Sequence, residues 1–273
     1  LLDEQTLAEK VVTMGNETRL EGFTVTQAAF PDGSCIYGEG ADFSIAHCVV
    51  KESFGYGIHA INGNVTIQWC TINLNERDGI RHEGEGVNLS VDNCWLLRNG
   101  EYGITCNSST PQVRNGIVSE SDLKGLGRAG IYMYRPTYPP VLHNLTISNN
   151  ESFGIAFSDD GDVTGDPNHL DWPDVQNCIV YYNNEGGRQL AGFDADHIAA
   201  YCCIEDCNEP GTTNYNTEPG FAYTVDPAGT PNPDNYRLSS AAFCIDKGNP
   251  ALFYVHQADM DKQNRVVGEA VDI

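Results

Sequence analysis

Basic residues are scarce in this chain. It holds five Lys and ten Arg against 38 Asp and Glu, so the formal net charge is −23 at pH 7 over 273 residues. A surface this negative repels phosphate backbones and anionic lipid, which excludes nucleic acid and membrane surfaces as partners. Long apolar runs are also missing. No stretch approaches the ~20 apolar residues of a spanning helix, which excludes membrane insertion of that kind. The opening LLDEQTLAEK has neither a basic cluster nor an apolar run. No signal peptide is therefore expected in the chain as given, and with no initial Met it reads as a mature product or a fragment. The ten Cys include no C-x-x-C pair, and Cys202-Cys203…Cys207 has no His at a usual offset, which argues against zinc. What remains is globular and rich in turns: 40% hydrophobic, with 28 Gly and 13 Pro.

A six-residue pattern recurs through the chain. It reads apolar, two variable, small or apolar, one variable, apolar. Its copies end at Val25, Val50, Ile72, Leu96, Val118, Ile147, Val180 and Ile204. The fourth positions are Phe23, Cys48, Cys70, Cys94, Gly116, Leu145, Cys178 and Cys202, spaced by 25, 22, 24, 22, 29, 33 and 24. Gly-Ile follows in phase at Ile58, Ile80, Ile104, Ile131 and Ile155. After each Ile the chain alternates, so Ile80 and His82 share one face while Arg81 and Glu83 share the other. That period of two means strand. Five residues after the fourth positions stand Ser53, Asn75, Asn99, Ser121, Asn150, Asn183 and Cys207; one residue before stand Asn93, Asn115, Asn144 and Asn177. Such residues between short strands read as turns, because Asn tolerates left-handed backbone. Stacked Asn amides can also bond from coil to coil.

Short strands every ~22–25 residues without a helical period predict an all-β solenoid, since one coil cannot bury its apolar face alone. The expectation is a single-stranded right-handed parallel β-helix of about eight to nine coils with two long inserted loops, at 125–140 and 158–174. The coils are assigned to 1–225. A C-terminal segment, 226–273, packs on or continues the last coil.

These residues resemble the right-handed parallel β-helix repeat family of secreted proteins, the pectate-lyase-like superfold. At the start, Leu1-Leu2-Asp3-Glu4, then Val11-Val12-Thr13-Met14, then Leu20 to Thr26 (LEGFTVT) match that family's opening segments. At the end, Asn235-Tyr236-Arg237-Leu238, then Cys244-Ile245-Asp246-Lys247-Gly248, then Arg265-Val266-Val267-Gly268 match its closing ones. The resemblance implies the fold and an extracellular or cell-surface setting. The caps that members usually carry at both ends are not in this chain, which predicts exposed strand edges open to self-association.

Cys48, Cys70, Cys94, Cys178 and Cys202 recur at one inward position and are expected to stack as buried thiols. Cys35, Cys203, Cys207 and Cys244 sit near irregular segments and are the disulfide candidates. His82 falls on the inward face and reads as a core histidine. The outward row runs His59, Arg81 with Glu83, Thr105 with Asn107, then Tyr132 with Tyr134, and Arg135 follows beside the first long loop. Rings stack on sugars and Arg pairs with uronate carboxylates, so His59, Arg81, Glu83, Tyr132, Tyr134 and Arg135 are the candidate glycan-binding residues. Sequons at Asn16, Asn64, Asn88 and Asn107 suit glycosylation; those at Asn144 and Asn150 coincide with turn positions. Calcium has two candidate loops, one with Asp159, Asp160 and Asp162, the other with Asp259 and Asp261 before Asn264.

Two functions follow. The first is an extracellular structural or surface β-helix, glycan-binding or assembling end to end into fibres. The second is a Ca²⁺-dependent polysaccharide lyase, or a hydrolase, acting on acidic glycans. A lyase would use Arg81 or Arg135. A hydrolase would pair Asp159 or Asp160 with Asp194 or Asp196. No His-Gly or Asn-x-Asp signature of the polygalacturonase-like enzymes is present, and the charge of −23 counts against a polyanionic substrate.

Overall fold

The computed structural model describes residues 9–158, 172–183, 189–193, 199–207, 213–222, 233–249, 251–252 and 262. Short strands wind into a right-handed parallel β-helix of about seven turns. One wall, the front sheet, stacks eight strands: Lys10–Met14, Ser34–Glu39, Tyr56–Ile61, Ile80–Glu83, Ile104–Asn107, Ala129–Tyr134, Phe153–Ser158 and Leu190–Ala191. The other wall, the back sheet, is bent into two legs. One runs through Val65–Gln68 and Asn88–Asp92, the other through Thr71–Asn73 and Trp95–Leu97; they merge in Thr110–Ser119.

The bend is where the six-residue pattern acts. Its third residue takes left-handed backbone in coil after coil: His47, Trp69, Asn93, Asn115, Asn144, Asn177 and Tyr201 all have φ between 53° and 56°. In the first coil Gly22 does this at φ 77°. Left-handed backbone costs an ordinary residue about 1 kcal/mol and costs Asn less, which explains the Asn run. The next residue then turns inward, so Cys48, Cys70 and Cys94, and later Cys178 and Cys202, are buried. Phe23, aligned with them by sequence, is instead 58% exposed. In this structure all ten Cys are in the reduced form.

The second polar row does something other than turn the chain. The left-handed residue is the one before it: Glu52, Leu74, Arg98, Glu120, Asn149, Tyr182 and Asp206. That kink throws the following side chain into the interior. The Asn75 amide donates to Asn99 Oδ1 at 3.0 Å, and Asn150 donates to Asn183 Oδ1 at 2.8 Å. Asn183 in turn donates to Gln189 Oε1 at 2.7 Å. Buried polar groups are tolerable only when partnered, and the ladder supplies the partners.

The front sheet is held by the Gly-Ile pairs. Ile58, Ile80, Ile104, Ile131 and Ile155, with Ile36 after Cys35 in the coil before them, pair in register and are fully buried. Gly57, Gly79, Gly130 and Gly154 let the backbone pass the Asn ladder, and Gly103 passes Val118 and Ser121. A Cβ on Gly79 would stand 2.7 Å from the Gly103 carbonyl oxygen and 2.8 Å from Asn99 Nδ2. Gly79→Ala is therefore expected to lower stability by about 2 kcal/mol, read from the denaturant midpoint.

The C-terminal residues lie against the outside of the back sheet. A 3₁₀ turn, Pro233–Tyr236, presents the Tyr236 hydroxyl to Ser119 and to Glu120, the latter at 3.1 Å. Glu120 is also ion-paired with Arg98. Further on, the Asn249 backbone N–H donates to Asn177 Oδ1 at 2.7 Å.

Candidate functional site

Parallel pairing without slip puts equivalent residues of successive coils side by side. On the outside of the front sheet, Tyr37, His59, Arg81, Thr105, Tyr132 and Ala156 form one row. A second row runs Glu39, Ile61, Glu83, Asn107, Tyr134 and Ser158. The turns that lead into these strands add Arg77, Asp78, Glu101, Tyr102 and Arg128. Together they enclose an open cleft of about 350 Å³, lined by Arg77, Arg81, Glu101, Tyr102, Thr105, Asn107, Arg128, Tyr132 and Tyr134.

Three guanidinium groups meet here, each on an aromatic ring. Arg77 and Arg81 lie 4.9 and 5.5 Å from the Tyr56 ring centre, and Arg128 lies 5.2 Å from that of Tyr102. Arg128 also donates to the Tyr102 hydroxyl at 3.0 Å, while its buried Nε makes no hydrogen bond. Tyr102 and Tyr132 stack, with centres 5.2 Å apart and planes at 16°. Burial raises the Tyr56 and Tyr102 hydroxyls above their ordinary range, so both rings stay neutral. The result is a flat aromatic wall edged by guanidinium groups.

Carboxylates hold the arginines in place. Arg77 bonds Glu101 at 3.2 Å and Asp32 at 2.5 Å. Arg81 bonds Glu83 at 2.5 Å and stands 3.5 Å from Asp78 Oδ2. Glu83 also contacts His59 Nε2 at 3.1 Å. Burial acts against the charged form of Glu83, yet Arg81 and His59 keep its carboxyl below the usual range. For His59 burial dominates and lowers the pKa, so the ring is neutral near pH 7.

Asp78 is the unusual member. It is fully buried. Its Oδ1 accepts from the Tyr102 N–H at 3.3 Å, and the carboxyl also faces the Arg81 guanidinium, 3.5 Å from Oδ2, and the Thr105 hydroxyl. Burial pushes its pKa up to about 6, against the pull of Arg81. A buried acid with a raised pKa beside an arginine in a cleft marks a candidate functional site.

The structure brings Arg81, Tyr132 and Tyr134 into the cleft, with His59 and Glu83 against Arg81. Arg135 is exposed at the strand end and is not among the lining residues. Asp159, Asp160, Asp162, Asp194, Asp196, Asp259 and Asp261 lie outside the described residues. No group of three or more metal-suited side chains occurs among the described residues. His82 is buried, with Nε2 2.8 Å from the Gly63 carbonyl oxygen. Of the sequon residues, Asn64 donates to Asp42 and Asn88 donates to Asn64, so both amides take part in an outer ladder. Sequence reading missed Arg77, Asp78, Glu101 and Tyr102. It followed the alternation after each Gly-Ile and ignored the turn before it, where the same spacing places all four.

The family described as "right handed beta helix region" matches residues 11–117 and 34–219, and the chain belongs to it. No curated protein matches. Among solved structures, a pectate lyase, Pel9A, is similar with a TM-score of 0.54 and 13% identity. The match covers 91% of this chain and 68% of that one. At that identity the likeness concerns the fold alone.

Proposed function

We propose that this is an extracellular β-helix protein that binds an acidic polysaccharide in the front-sheet cleft. The observation that carries the reading is the convergence of Arg77, Arg81 and Arg128 with stacked Tyr102 and Tyr132 in one open cleft. Three of the ten arginines of a −23 chain meet there. Asp32, Asp78, Glu83 and Glu101 balance the charge of the arginines. The guanidiniums therefore act on a ligand by direct contact, and screening limits the wider field to about 8 Å at physiological salt. Uronate carboxylates would pair with the guanidiniums and the sugar faces would lie on the tyrosines. The fold neighbour is named a pectate lyase, which makes pectate the first ligand to try.

Cleavage is the second reading, favoured by Asp78. A carboxylate with a pKa of about 6 beside an arginine has the protonation behaviour of a general base near neutral pH. The test is affinity electrophoresis on pectate, alginate, chondroitin and neutral glucan, with and without Ca²⁺, followed by ultraviolet absorbance for new double bonds. Retardation by an acidic polymer and by no neutral one is expected. Equal migration in every gel would overturn the binding reading, and flat absorbance would overturn eliminative cleavage.

A further inference from the structure

In the last described coil, strand alternation separates two adjacent cysteines. Cys202 enters the core stack and Cys203 points outward. Cys203 does not meet solvent there. It packs with Cys244 and Ile179, both fully buried, under Tyr181, Tyr215, Phe221 and Leu238. The two cysteines are 41 residues apart in sequence. Their thiols are hydrogen-bonded to each other, and the Cys203 thiol donates to the Thr217 carbonyl at 2.8 Å.

We propose that Cys203 and Cys244 are a disulfide site, oxidised by glutathione disulfide or a protein dithiol oxidant as the C-terminal segment docks. Each thiol loses a proton, the two sulfurs join, and two electrons reduce the oxidant's disulfide to two thiols. The hydrogen bond with the Cys244 thiol lowers the Cys203 pKa, as the Cys94 thiol does for Cys70, so geometry and access rather than acidity single out the Cys203–Cys244 pair. The core thiols stay reduced. Cys178 and Cys202 occupy equivalent places on neighbouring coils, with the Cys178 N–H donating to Cys202 Sγ at 3.3 Å. Side chains so placed are one strand spacing, ~4.8 Å, apart, beyond the ~3.8 Å Cβ separation of a disulfide. Cys48, Cys70 and Cys94 repeat this arrangement. Burial pushes Cys106 up to about 12, leaving it inert.

The bond would clamp the segment that carries Tyr236 onto the coils. The test is to fold the full chain in a glutathione redox buffer, denature it without reductant and count alkylated thiols by mass. Eight of the ten are expected to react. The non-reduced tryptic digest should link peptide 238–247 to peptide 189–237, and reductant should lower the melting temperature by about 5–10 °C. Cys203→Ser should abolish the link, and Cys207→Ser should keep it. Ten reactive thiols in the wild type, or a link that survives Cys203→Ser, would overturn the proposal. The thiol count needs no variant to fold.

Discussion

Replacing Asp78 by Asn is expected to stabilise the protein at pH 8 by about 3 kcal/mol. The carboxyl is buried, and burial outweighs the attraction of Arg81, so its folded pKa is about 6 against an ordinary value of 3.8. A raised acid pKa means the native state holds the proton more tightly than the unfolded chain does. The wild type therefore has its full relative stability below about pH 4 and loses it as pH rises through 6. The loss is about 1.4 kcal/mol for each pH unit crossed between those two values. Asn keeps an acceptor for the Tyr102 N–H and never ionises. The difference between the two proteins should open between pH 4 and pH 7 and then stay level. Urea midpoints across that range measure it. A constant difference at every pH would mean that Asp78 does not titrate in this window. Retaining a destabilising acid beneath Arg81 fits a role in the cleft better than a role in the fold.

Asn99→Ala should be the most damaging single change, costing about 4 kcal/mol. Asn99 Oδ1 accepts from both the side chain and the backbone N–H of Asn75, and its amide donates to the Ile72 carbonyl at 3.2 Å. Removal strands three buried polar groups, each worth about 1–3 kcal/mol when left unpaired. The outer ladder offers the contrast. Asn88 is exposed and water replaces its bond to Asn64, so Asn88→Ala should cost under about 1 kcal/mol. Denaturant midpoints of the two variants decide this. Equal losses would show that the inner ladder adds nothing beyond a surface hydrogen bond.

The fold was legible because a solenoid repeats its physics. The period-two alternation that follows Ile58, Ile80 and their counterparts marks strands, and equal spacing stacks them. The role of Asn was only half legible. Asn93 and Asn115 take left-handed backbone as expected, yet His47, Trp69 and Tyr201 do the same at equivalent places, where position rather than residue type rules. Asn75 and Asn99 are not the turning residues; they are the interior ladder, and Leu74 and Arg98 make the turn. The site was partly legible. Arg81, Tyr132 and Tyr134 stand on strands whose outward face follows from alternation. Arg77, Asp78, Glu101 and Tyr102 stand on the turns just before Gly79 and Gly103, where the coil spacing aligns them but no period-two alternation marks them.

Titration calorimetry of a galacturonate oligomer against the wild type and Arg81→Gln, with Arg19→Gln as control, tests the central claim most directly. Arg19 pairs with exposed Glu21 on the back sheet, away from the cleft. The wild type and Arg19→Gln should bind alike. Arg81→Gln should bind about tenfold or more weakly, the worth of one charge-assisted hydrogen bond. Equal binding by all three proteins would place the glycan elsewhere, and no binding by any would contradict the acidic-glycan account.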